Sequence, residues 1–104
     1  MAWIILFFAG LFEIGFTTAM RYTAGFTRPV PTLAFLVFAG ASFYLLTKAA
    51  ESIPLGTAYG VWTGIGAAGT VLIGIFYFGE PATTLRLVFL VLLIGSIVGL
   101  KLVS

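Results

Sequence analysis

The sequence has no cysteine, so neither a disulfide nor a thiolate metal site can be built from it. It has no histidine either, which removes the commonest metal ligand and the usual general base. Charge is scarce: 8% of the 104 residues are Asp, Glu, Lys or Arg, where a soluble domain carries roughly 25%. The net charge of +2 comes without any basic cluster, which argues against a nucleic-acid partner. No nucleophile–base pair and no metal-ligand set is present, so the sequence points to no enzyme, no cofactor and no metal.

What the chain has in abundance is hydrocarbon. Hydrophobic residues make up 62% of it, and 13 residues are glycine, a residue more frequent in membrane helices than in soluble ones. So few polar groups cannot cover a globule, and the solvent implied is lipid. A spanning helix needs about 20 mostly apolar residues. Four stretches qualify, at about 3–20, 31–49, 56–78 and 84–103, separated by short clusters of polar and turn-forming residues such as Arg21 to Pro31, Lys48 to Pro54 and Gly79 to Pro81. The expectation is a single all-α membrane domain of four antiparallel spans. The first stretch does not read as a signal peptide, because it lacks a basic start and runs on into Glu13 without a small-residue cleavage site. A bundle this thin hardly encloses a solute pathway, so an oligomer is expected.

Lys48 and Lys101 fall on the side of the chain ends, and Arg21, Arg28 and Arg86 on the other. With the N-terminal amine the two sides are nearly equal. Orientation follows a Lys/Arg imbalance, and here there is almost none. Either five charges are too few to read, or the chain inserts both ways up. The second reading is preferred.

Glu13 is the one charge inside the first span. Placing an ionisable group there costs at least about 2.5 kcal/mol on insertion scales and marks a functional candidate. A structural glutamate would need a buried Lys or Arg. No span interior supplies one, and Lys48 and Lys101 lie near helix ends, where they can snorkel to water. A deprotonated Glu13 attracts a cation and a protonated one does not. That competition alone couples proton entry to cation exit.

Helical spacing puts Ala9, Gly10, Phe16, Thr17 and Met20 on the side of Glu13. Gly10 would leave room beside the carboxylate, and Thr17 would donate a hydrogen bond to it. In the third span Tyr59, Trp62, Thr63 and Gly66 share a face, with rings suited to cation–π attraction. Ser42 reads equally as a site residue or as an interhelical hydrogen bond. Gly64 and Gly66 read as a hinge or as close packing. Gly95 and Gly99, four apart in the last span, follow the small-xxx-small pattern of helix association.

The glutamate in the first span, the segment Gly25-Phe26-Thr27-Arg28 and the segment from Pro54 to Gly66 resemble the small multidrug resistance family over essentially the full chain. That resemblance implies an antiparallel, dual-topology homodimer, or a pair of non-identical subunits, working by alternating access and proton antiport. It implies that Glu13 of both subunits binds organic cation and protons, with Tyr59 and Trp62 lining the site. It also implies a fourth helix used in dimerisation and a third helix that bends near Gly64 and Gly66. Gly10, Ser42, Thr63 and the tail Gly99-Leu100-Lys101 look like the family's guanidinium exporters. Phe16 stands where those carry tryptophan. Thr17-Thr18-Ala19-Met20 looks like the drug exporters, whose second-span tyrosine is replaced by Ala39. Phe16 lacks an indole donor, so quaternary ammonium and other hydrophobic cations are the favoured substrates. Guanidinium or substituted guanidines, or both classes together, are the alternative. A rotor subunit of a proton-driven motor and a membrane partner that transports nothing are more distant readings.

Overall fold

The computed structural model describes residues 1–103. It contains four α-helices and no strand among them: α1 Ala2–Met20, α2 Pro29–Ala49, α3 Leu55–Tyr77 and α4 Thr84–Val103. All four are long and apolar enough to cross a membrane. At about 1.5 Å per residue, their 19 to 23 residues match a hydrocarbon layer of about 30 Å. Helices suit that layer because each satisfies its own backbone hydrogen bonds where no water is available.

Local chemistry sets where the helices begin and end. Arg28 is extended (φ −90°, ψ 119°), and Pro29 follows as the first helical residue. Its missing N–H costs nothing at that position, so α2 starts two residues ahead of the expected Pro31. Pro54 plays the entry role before α3. Gly79, at φ +69°, reverses the chain after α3 in a conformation that glycine adopts freely. At the start of α4 the Thr83 hydroxyl accepts from the Arg86 N–H at 3.3 Å. The Arg86 guanidinium donates to the Pro81 carbonyl at 2.6 Å and pairs with Glu80 at 3.3 Å, fastening the α3–α4 turn.

The packing is uneven. α1 lies between α2 and α3, while α4 rests on α3 alone. The tightly buried set is small: Leu6, Ala9, Ala49, Ile53, Ala58, Val61 and Trp62, gathered toward the end of the bundle that holds the chain ends. Elsewhere large apolar side chains such as Val30, Leu36, Phe76 and Phe89 face outward. In water such a surface would aggregate; in lipid it is the solvated face.

Candidate functional site

Glu13 projects from the middle of α1 onto α3 at Gly66. A β-carbon on Gly66 would collide with the Glu13 carboxyl, so the absent side chain makes the carboxylate's seat. Oε1 of Glu13 is buried and has no hydrogen-bond partner among the described residues. Among the described residues neither ion pair involves it, since both pairs join exposed or half-exposed groups at the bundle ends. Buried polar atoms are nearly always partnered, and a buried charge left alone is costly. Among the described residues no donor reaches it.

One turn toward the chain ends, Ser42 ties three helices together. Its hydroxyl is fully buried, donates to the Ala9 carbonyl at 2.7 Å and accepts from the Trp62 indole N–H at 2.8 Å. The sequence left Ser42 between site and packing; the geometry makes it a bridge from α2 to both α1 and α3. A hydroxyl oxygen has two lone pairs, so Ser42 keeps one acceptor position beyond the indole. Trp62 is 6% exposed, and its ring meets Phe43 at 5.3 Å and Tyr59 at 5.7 Å.

The expected face of α3 is split. Trp62 and Gly66 are buried, whereas Tyr59 and Thr63 are exposed, on the side that this chain leaves uncovered. Phe16 joins a row of rings, 5.6 Å from Phe35 and 6.2 Å from Phe43, which continues through Phe43 to Trp62.

Two expectations for α1 are corrected. Gly10 does not leave room beside the carboxylate, because the Ile65 side chain fills the space over it, 2.5 Å from where a β-carbon would stand. Thr17 is not directed to the Glu13 carboxylate. Its hydroxyl lies 3.0 Å from the backbone carbonyls of Glu13 and Ile14 and 2.8 Å from the Thr70 hydroxyl. A helical threonine readily bonds back to the preceding turn, and that competition wins here. Thr70 was missed by the sequence reading. The available signal was its place one turn beyond Gly66 on the same stripe.

α3 runs unbroken through Gly64 and Gly66. Gly64 is covered by Ile97, 2.8 Å from a notional β-carbon, and Gly66 by Glu13. In α4, by contrast, no other part of the described residues beyond the helix's own turn lies within 4 Å of a β-carbon at Gly95 or Gly99.

Four spans with one unpaired carboxylate inside the first make the frame of a small membrane transporter. A family model described as Small Multidrug Resistance protein matches residues 1–93, and the chain belongs to that family of efflux transporters, as a multi-pass protein of the bacterial inner membrane. Similar curated proteins include the guanidinium exporter of Yersinia pseudotuberculosis, 49% identical over the whole of both chains. The guanidinium exporter of Proteus vulgaris is 47% identical, again over the whole of both. That of Citrobacter freundii is 44% identical over 98% of this chain and 97% of the relative.

Proposed function

We propose that the chain exports guanidinium and substituted guanidines in exchange for protons, as an antiparallel dimer. The observation that carries this reading is Oε1 of Glu13, buried and without a donor among the described residues, one helical turn from the Ser42 hydroxyl. Guanidinium is planar and presents N–H donors on all sides, and charge-assisted pairing with a carboxylate is its strongest interaction. A quaternary ammonium has no donor to offer either oxygen. The full-length similarity to proteins named guanidinium exporters supports the same choice. It overrides the preference for quaternary ammonium that Phe16 suggested, and the rotor-subunit reading falls with membership of an efflux family.

In this mechanism the carboxylate holds either the cation or a proton. Taking up a proton releases the cation, and losing the proton readies the site for the next one. The dimer reading is supported by α4, which rests on α3 alone and presents Gly95 and Gly99 uncovered, and by the near-equal basic charge of the two ends.

The test is electrical recording from the purified chain on supported membranes. Guanidinium should give large currents and tetrapropylammonium small ones; the reverse order would overturn the substrate assignment. A C-terminal tag should be reachable from both sides of the membrane, and a tag found on one side only would overturn the antiparallel homodimer.

A further inference from the structure

At the end of the bundle that holds the chain ends, one lysine is left over. The sequence has three carboxylate side chains. Glu51 pairs with Lys48 and Glu80 with Arg86, and Glu13 lies in mid-span. Lys101, in the last turn of α4, makes no ion pair among the described residues. Its Nζ stands 5.4 Å from the ring centre of Trp3, which lies in the first turn of α1. Below these two opens a groove of about 410 Å³ that runs from the charged rim into the span. Its floor is Val61 and Ile65 of α3, the first of them buried. Its sides are Phe7 of α1 and Val98 of α4, both half-exposed.

The groove is separate from the cation site. Val61 and Ile65 each stand two residues beyond Tyr59 and Thr63, which at about 3.6 residues per turn is more than half-way round α3. Lys101 is likewise two residues beyond Gly99 on α4. With the Tyr59 side and the Gly95–Gly99 side both turned to a partner, the groove still opens to lipid. Lipid tails wet any apolar face of such a chain. What singles out this one is a recess under an unpaired ammonium, set beside a tryptophan of the kind that marks headgroup depth. Lysines at that depth attract anionic lipid, and basic pockets between spanning helices take its headgroup. We propose that the groove binds an anionic phospholipid, with its phosphate on Lys101 and part of one acyl chain between α1 and α4. The backbones of α1 and α4 do not approach each other among the described residues, so the lipid bridges two helices that otherwise meet only through α3. In the antiparallel dimer proposed above, the two copies of the groove open to opposite leaflets.

Native mass spectrometry of the purified chain measures bound lipid directly and needs no transport, so its outcome leaves the cation reading untouched. Phosphatidylglycerol and phosphatidylcholine with the same acyl chains are added in turn. The unsubstituted chain should hold phosphatidylglycerol about fivefold more tightly, the share that one lysine near a membrane surface contributes. Lys101→Gln removes the charge and should erase that preference. Lys48→Gln, at the same end of the bundle but already paired with Glu51, should leave it in place. Val98→Trp fills the recess from a half-exposed position and should lower retention of both lipids severalfold. Equal binding of the two lipids by the unsubstituted chain would overturn the headgroup site. So would a preference that survives Lys101→Gln, or one that falls as far in Lys48→Gln. Unchanged retention in Val98→Trp would put the acyl chain elsewhere and overturn the groove. Loss of the dimer in Val98→Trp, with no lipid held by the unsubstituted chain, would give the groove to a second copy of this chain and overturn the proposal as well.

Discussion

The seam between α1 and α3 and the surface of α4 use glycine in opposite ways. Along the seam, Gly10, Gly66 and Gly69 are filled by Ile65, Glu13 and Ile14 from the facing helix. On α4, Gly95 and Gly99 meet no other helix among the described residues, and Leu90 is that helix's one buried residue among those described. Lipid tails are as apolar as leucine, so burying leucine inside a membrane protein gains little from hydrophobicity. Close backbone approach is what holds helices together there. The seam has completed its approach within one chain. The fourth helix carries the same device with no partner for it among the described residues, which is what supports the proposed contact between chains.

The largest effect that sharpens this contrast comes from the seam's charge. Glu13→Gln keeps the shape and removes the titrating group. Gradient-driven guanidinium transport should vanish while the folded dimer persists. Substantial transport by this variant, measured in liposomes, would break the assignment of the seam as the working half.

Next come the glycines themselves. Gly66→Ala places a methyl where the carboxyl lies. Overpacking of this kind costs about 1–3 kcal/mol, and here it is relieved by displacing Glu13, so transport should fall at least about tenfold with the dimer intact. Gly95→Ile with Gly99→Ile should do the opposite, sparing the chain's own fold and lowering dimer affinity by about tenfold, or 1.4 kcal/mol. Energy transfer between labelled subunits in liposomes would measure it. A dimer unaffected by both α4 substitutions would end the comparison.

Much of the fold was legible because lipid imposes a simple rule on sequence. Runs of about 20 apolar residues separated by Arg, Lys, Glu and Pro mark helices and turns. Glu13 stood out as the one charge deep inside a span, away from the helix ends. The partners of polar side chains did not stand out, because they join distant parts of the chain. Ser42 and Trp62 are 20 residues apart, and Thr17 and Thr70 are 53 apart. Spacing within one helix tells which residues share a face. It does not tell which face of another helix they meet, and this is why Thr17 was matched to the wrong partner and Gly10 was read as open space.

Ser42→Ala tests the bridge at the edge of the seam. It removes the acceptor of the buried Trp62 N–H and one donor to the Ala9 carbonyl. An unpaired buried donor costs about 1–3 kcal/mol, so guanidinium affinity should fall by about fivefold or more, with a loss of thermal stability alongside. Pairing it with Trp62→Phe, which deletes the same N–H, should give less than the sum of the two separate losses, because residues that share one hydrogen bond are not additive. Strict additivity of the two changes in binding would show that the bond observed here contributes nothing to the site.

The smallest expected effect concerns Phe16, and it separates two ways of reading substrate choice. If an indole at this position set the preference for guanidinium, its absence would leave a site suited to cations without donors. The structure gives Phe16 a different surrounding: its ring packs edge-to-face with Phe35 and stacks near Phe43, which in turn contacts Trp62. Position 16 therefore acts on the site through a row of rings, two contacts removed from the indole that Ser42 holds. Phe16→Trp adds one donor and some volume to a row already filled. Aromatic contacts are worth about 0.5–1.5 kcal/mol beyond the area they bury, and part of that is lost when a larger ring must fit. The ratio of guanidinium to tetrapropylammonium currents should accordingly rise by less than about tenfold, since tenfold would need about 1.4 kcal/mol. A larger rise, or a switch from one substrate class to the other, would locate specificity at position 16 and not at the Ser42–Trp62 bridge.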